Sequence, residues 1–78
     1  MQWKTNNEQL EREFTFSNFK QALRFVNKVG ELAEEMDHHP DILLFGYKKV
    51  KITLTTHSEG KITELDYGLA EKIDQIKI

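Results

Sequence analysis

The stretch SNFKQALRFVNKVGELAEEMDHHP, Ser17–Pro40, decides the fold. Phe19, Ala22, Leu23, Val26, Val29, Gly30, Ala33 and Met36 recur at three- and four-residue steps, and Phe25 and Leu32 widen the stripe. Lys20, Arg24, Asn27, Lys28, Glu31 and Glu35 take the opposite face. That period predicts one amphipathic helix of about twenty residues, apolar on a single side. Ser17 stands at the expected N-cap. Pro40 stops the helix, because it has no N–H for the ladder and pushes His39 out of the helical region.

Both flanks alternate instead. Leu10, Arg12, Phe14 and Phe16 interleave with Glu11, Glu13 and Thr15, the period-2 pattern of a half-buried strand. With Trp3 and the turn-prone Asn6-Asn7 ahead of it, this predicts a hairpin from about Gln2 to Thr15. After Pro40, the apolar run Ile42–Phe45 precedes Gly46. Val50, Ile52 and Leu54 then alternate with Lys51, Thr53 and Thr55, which predicts a second hairpin whose return strand runs to His57. Ser58-Glu59-Gly60 reads as a turn. Thr63 with Asp66 three residues on resembles a capping box, and Leu65, Leu69, Ile73 and Ile76 give one face of a last helix. One-faced helices and alternating strands in the order ββαββα imply an α+β fold, with both helices on one side of an antiparallel four-stranded sheet.

The chain of 78 residues is expected to form a single domain over 1–78. With no cysteine, disulfides, thiolate metal sites and thiol catalysis are excluded. Lys+Arg 11 against Asp+Glu 13 leaves a net charge of −2, the wrong balance for a general nucleic-acid binder. No apolar run approaches the ~20 residues of a membrane span, and Met1-Gln2-Trp3-Lys4 is not expected to open a signal peptide. The expectation is a soluble, cytoplasmic domain with no nucleic-acid or membrane partner. A core this small gains from oligomerising.

The three histidines carry the candidate chemistry. His38 and His39 fall at the expected end of the long helix, and His57 at the expected end of the fourth strand. A helix C-terminus stabilises imidazolium, and Glu34 lies four residues before His38 in the favourable orientation for a pair. A group so placed can give or take a proton near neutral pH. The plainer reading makes His38 and His39 C-capping residues and His57 a surface histidine. A three-imidazole zinc site is disfavoured, because adjacent helical residues project about 100° apart and cannot easily share one ion. Ser17 and Ser58 lack the glycine context of a nucleophile elbow, and there is no glycine-rich phosphate loop. Asp66 has two readings, as a helix cap and as a carboxylate that orients an imidazole from behind.

Glu34-x-x-x-His38-His39-Pro40, Tyr47, Thr56-His57, Thr63 and Asp66 together resemble the signature of the pterin-4a-carbinolamine dehydratases. Trp3, Leu10, Arg12, Phe14, Phe16 and Phe19 look like that family's N-terminal pattern, and Leu69-Ala70 through Ile73 like its last helix. The resemblance covers essentially the whole chain. It implies a two-layer α+β fold and a hydro-lyase: loss of water from 4a-hydroxytetrahydropterin to give quinonoid dihydropterin. That reaction recycles the cofactor of aromatic amino-acid hydroxylases. It further implies that His38 and His57 move protons, that His39 mainly holds the pterin, and that Asp37, Pro40, Thr55, Thr56 and Ser58 line its pocket. Glu34 and Asp66 would support the histidines. The pterin is the substrate, so neither metal nor cofactor is expected, and family members form homo-oligomers, dimers or tetramers. Some animal members also serve as dimerisation partners of a transcription factor, so a non-catalytic pterin-binding or interaction protein is the alternative. The sequence departs from many members in an extra residue between Pro40 and Tyr47, expected to sit in a bulge at Gly46. Ile42 also stands where some carry tryptophan.

Overall fold

A computed structural model describes residues 2–78. The elements run β1 (Lys4–Asn6), β2 (Gln9–Thr15), α1 (Phe19–Met36), β3 (Asp41–Phe45), β4 (Lys49–Leu54) and α2 (Glu64–Asp74). The expected ββαββα order and α+β class hold. The four strands form one antiparallel sheet in the order β1-β2-β4-β3. The last strand in sequence is therefore central, and α1 carries the chain from β2 past β4's place to the far edge.

Alternation decides which face is covered. Val50, Ile52 and Leu54 of β4 are fully buried, while Lys49, Lys51 and Thr53 between them face the other way. Their β2 neighbours in register are Phe14, Arg12 and Leu10. Leu10, Ala22, Phe25, Val29, Leu69, Ala70 and Ile73 close the core from strand and helices. Fully burying one such large aliphatic side chain contributes roughly 1.5–3 kcal/mol. Phe25 lies between Phe14 and Phe16, with ring centroids 4.6 and 4.9 Å away, and so pins α1 to the end of β2.

Both hairpin turns rely on left-handed residues. Asn7 and Glu8 (φ 51° and 62°) form a two-residue connection of the type that matches strand twist. Gly46 and Tyr47 (φ 55° and 54°) begin the Gly46–Lys48 turn between β3 and β4. Gly46 is thus a turn residue, not the expected bulge; the extra residue is absorbed in the turn, and Phe45 pairs directly with Lys49.

The long helix differs from expectation at both ends. Its N-cap is Asn18, not Ser17, and the Asn18 side chain accepts from Gln21 N–H at 2.9 Å. Phe16 N–H still donates to Lys48 carbonyl at 2.8 Å, which keeps the chain extended one residue further. The apolar stripe also resolves into two rows. Ala22, Phe25, Val29 and Ala33 are buried, whereas Phe19 and Leu23 at its margin are 48% and 42% exposed. In α2, Leu69 and Ile73 are buried, Leu65 is exposed, and Ile76 packs on the core from beyond the helix end. The termini are joined by a cluster no local pattern announced. Asp74 accepts from Trp3 Nε1 at 2.9 Å and from Arg12 Nη1 at 2.6 Å, with Arg12 lying over the Phe14 ring.

Candidate active site

The end of α1 sets the first histidine. Asp37 takes the left-handed conformation (φ 50°), its N–H turning back to the Glu34 carbonyl at 3.2 Å and His38 N–H to Ala33 at 3.1 Å. Such a left-handed cap satisfies the last carbonyls and reverses the chain. The expected position of His38 on the last helical turn is thereby overturned. The left-handed residue swings His38 off the helix surface, away from Glu34, and into the first turn of α2.

There it meets Asp66. His38 Nε2 lies 2.6 Å from Asp66 Oδ1, with the imidazole only 11% exposed and the carboxylate fully buried. The other oxygen, Oδ2, accepts from Thr63 N–H at 2.9 Å and from Thr56 Oγ1 at 2.8 Å. Thr63 is the N-cap of α2, and the capping box read from the sequence is formed. Thr56 Oγ1 in turn lies 2.7 Å from Thr63 Oγ1. Asp66 therefore caps α2 and contacts a histidine ring at the same time. A buried carboxylate costs several kcal/mol unless it is paired and hydrogen-bonded, and here both oxygens are served.

Glu34 does not pair with His38, as expected from spacing, but with its neighbour. Glu34 Oε2 lies 2.5 Å from His39 Nε2, and both side chains are largely exposed. The reversal at Asp37 is the reason, since it places His39, five residues on, above Glu34. His57 is also not in the fourth strand. β4 ends at Leu54, Thr56 makes an isolated bridge to Lys61, and His57 lies in the turn between them. Glu59 and Gly60 N–H close that turn on the Thr56 carbonyl at 3.0 and 2.9 Å, leaving His57 and Ser58 exposed.

The remaining predicted pocket residues divide. Thr55 is committed elsewhere, donating to the Glu8 carbonyl at 3.0 Å. Thr56 contributes a buried hydroxyl, not only backbone. Ser58 borders an open hollow of about 530 Å³ that reaches Thr56, Thr63 and Met36. Pro40 borders a second, of about 570 Å³, with His39, Glu34 and Ile42. Sequence reasoning named Thr56 as a pocket residue and Thr63 as a helix cap but missed that their hydroxyls meet each other and that Thr56 reaches Asp66. The only signal was a threonine seven residues before a capping threonine. Among the described residues, no three His, Asp or Glu side chains are grouped as a metal site would require, and no helix is long and apolar enough to cross a membrane.

The same arrangement of chain recurs in known proteins. A protein of Sulfolobus acidocaldarius with the provisional name pterin-4-alpha-carbinolamine dehydratase is 45% identical over 75 residues, 96% of this chain and 81% of its own. A crystal structure described as a transcriptional coactivator/pterin dehydratase from Brucella melitensis superposes with a TM-score of 0.88 at 37% identity, covering 94% of this chain and 79% of that one. A pterin dehydratase-like protein identified as a RuBisCO assembly factor in the alpha-carboxysome is more distant. It superposes with a TM-score of 0.74 at 27% identity, covering 92% of this chain and 82% of its own. The family model for pterin 4 alpha carbinolamine dehydratase matches residues 1–76, and on that span, with a relative 45% identical over nearly the whole chain and the fold agreeing, this chain belongs to that family.

Proposed function

We propose that this protein dehydrates 4a-hydroxytetrahydropterin to quinonoid dihydropterin by histidine acid–base catalysis. The observation that supports this most is the His38–Asp66 pair, a largely buried imidazole backed by a fully buried carboxylate. The reaction needs little else. The carbinol C–O bond breaks and the hydroxyl leaves as water with a proton from a general acid. The lone pair of the adjacent ring nitrogen forms the C=N bond, and the proton on that nitrogen passes to a general base. One acid and one base near pH 7 suffice. His38 and His57 are assigned to proton transfer. His39, braced by Glu34 beside the hollow at Pro40, is assigned to holding the pterin.

The test is the decay of 4a-hydroxytetrahydropterin with and without the protein. Acceleration supports the reading, and an unchanged rate would leave the alternative of an interaction protein, the carboxysome relative being identified as an assembly factor. Neither metal nor cofactor is assigned a part, so activity is expected to survive dialysis against a strong chelator. Loss of activity that zinc alone restores would overturn this. The setting proposed is cytoplasmic recycling of the pterin used by aromatic amino-acid hydroxylases.

A homo-oligomer, dimer or tetramer, is proposed as well. Edge strands β1 and β3 keep unpaired backbone groups, and Leu43, Phe19 and Leu23 are exposed apolar side chains. Light scattering at micromolar concentration is expected to give two or four times the 9.2 kDa of one chain. A mass near one chain would refute it.

A further inference from the structure

The proton positions in the buried network follow from counting donors, and they bear on which histidine is the base. Asp66 Oδ2 receives Thr63 N–H, which can only donate. Thr56 Oγ1 stands between Asp66 Oδ2 and Thr63 Oγ1, and Thr63 Oγ1 also accepts from Leu65 N–H at 3.3 Å. Two hydroxyl protons serve these contacts. If Thr63 donates to Thr56 and Thr56 to Asp66, every donor has an acceptor and Asp66 is an acceptor throughout. In the reverse direction Asp66 would carry a proton on Oδ2, and the Thr63 hydroxyl would gain no second partner, because Leu65 N–H cannot accept. The reverse arrangement also discards the negative charge at the first turn of α2, where the helix favours it. The forward direction therefore holds.

With Oδ2 filled by donors, Oδ1 is left to accept, and among the described residues the only donor in reach is His38 Nε2. In the neutral ring the proton thus sits on Nε2, and Nδ1 is the free lone pair. Nδ1 makes no hydrogen bond among the described residues. No buried side-chain nitrogen or oxygen there lacks a partner, so Nδ1 reaches solvent. We propose that the hydroxyls of Thr56 and Thr63 form a one-way donor relay that holds Asp66 as a full acceptor and fixes the neutral His38 tautomer. His38 Nδ1 is then the base that takes the ring-nitrogen proton. Thr56 and Thr63 are positioning residues, acting through Asp66. The base role rests on the dehydratase reading, whereas the tautomer does not.

Two measurements separate the two. Long-range ¹H–¹⁵N spectra of the histidine rings, recorded from pH 6 to 9, are expected to show neutral His38 with a protonated Nε2 and an unprotonated Nδ1. A neutral ring protonated on Nδ1, or one doubly protonated up to pH 9, would overturn the relay whether or not the protein is an enzyme. Thr56→Val removes the hydroxyl at nearly constant shape. It is expected to shift the tautomer ratio towards Nδ1–H and to lower kcat by roughly 10-fold with KM little changed. Thr56→Ser restores both. Thr63→Val, which removes the relay's first donor, is expected to act in the same direction and serves if Thr56→Val does not fold. Valine variants with unaltered tautomer and kcat would overturn the proposal. Correct tautomers in a protein that does not accelerate dehydration would overturn only the base role and the function beneath it.

Discussion

Replacing His38 or His57 by alanine is expected to lower the dehydration rate by roughly 10²–10⁴-fold each, the range general acid–base groups supply. The double variant is expected to approach the uncatalysed rate. The two positions differ physically. His38 is held by a buried carboxylate and only its outer edge is free, so its alanine variant loses a fixed proton acceptor. His57 sits exposed in a closed turn anchored at the Thr56 carbonyl, directly after a member of the same network. Its loss removes an exposed imidazole and disturbs little packing. His39→Ala, by contrast, removes an exposed ring paired only to Glu34 and is expected to raise KM more than it lowers kcat. Steady-state kinetics on the three variants separate these roles. Full activity of either His38→Ala or His57→Ala across pH 6–8 would remove that residue from the mechanism.

Much of this was legible in local pattern, and the failures share a cause. The alternation of Val50, Ile52 and Leu54 gave the buried face of β4 because a strand has only two faces. The spacing of Thr63 and Asp66 gave the cap of α2 because a capping box is a contact within four residues. Glu34 was assigned to the wrong histidine because the i,i+4 rule assumes an unbroken helix. One left-handed residue, Asp37, ends it and turns His38 inward, and aspartate is not the glycine that usually announces such a turn. Phe19 and Leu23 belong to the apolar stripe yet stay exposed, because periodicity reports which side of a helix is apolar, not how wide a sheet covers it. The placement of β4 between β2 and β3 and the bond from Trp3 to Asp74, 71 residues apart, depend on the whole fold and have no local signature. The partnership of Thr56 with Asp66 belongs to the same class. The turn that holds His57 brings a strand end onto a helix start, and only the assembled structure shows it.

Asp66 is where stability and chemistry meet, and two substitutions there should part them. Asp66→Ala removes the acceptor of Thr63 N–H, Thr56 Oγ1 and His38 Nε2 together. Losing a cap interaction costs about 1 kcal/mol, and leaving a buried hydroxyl unsatisfied costs about 1–3 kcal/mol more. The total, about 2–4 kcal/mol, is a large share of the roughly 4–12 kcal/mol expected for a domain of this size. Urea unfolding should show the midpoint fall with its slope unchanged. A variant within about 0.5 kcal/mol of the parent would show that the network holds little of the fold. Asp66→Asn should behave differently. Its carbonyl oxygen can still accept from Thr63 N–H and Thr56, so the cap survives and the loss of stability should stay below about 1 kcal/mol. Its NH₂ then faces His38 Nε2 and can only donate. His38 must accept there, which moves the ring proton to Nδ1 and occupies the nitrogen that would take the substrate's proton. The folded asparagine variant is therefore expected to lose on the order of 10²-fold or more in kcat, as a wrong-tautomer imidazole does in other acid–base sites. An Asp66→Asn protein that is stable and fully active would mean that the carboxylate serves α2 alone and that the orientation of His38 is incidental.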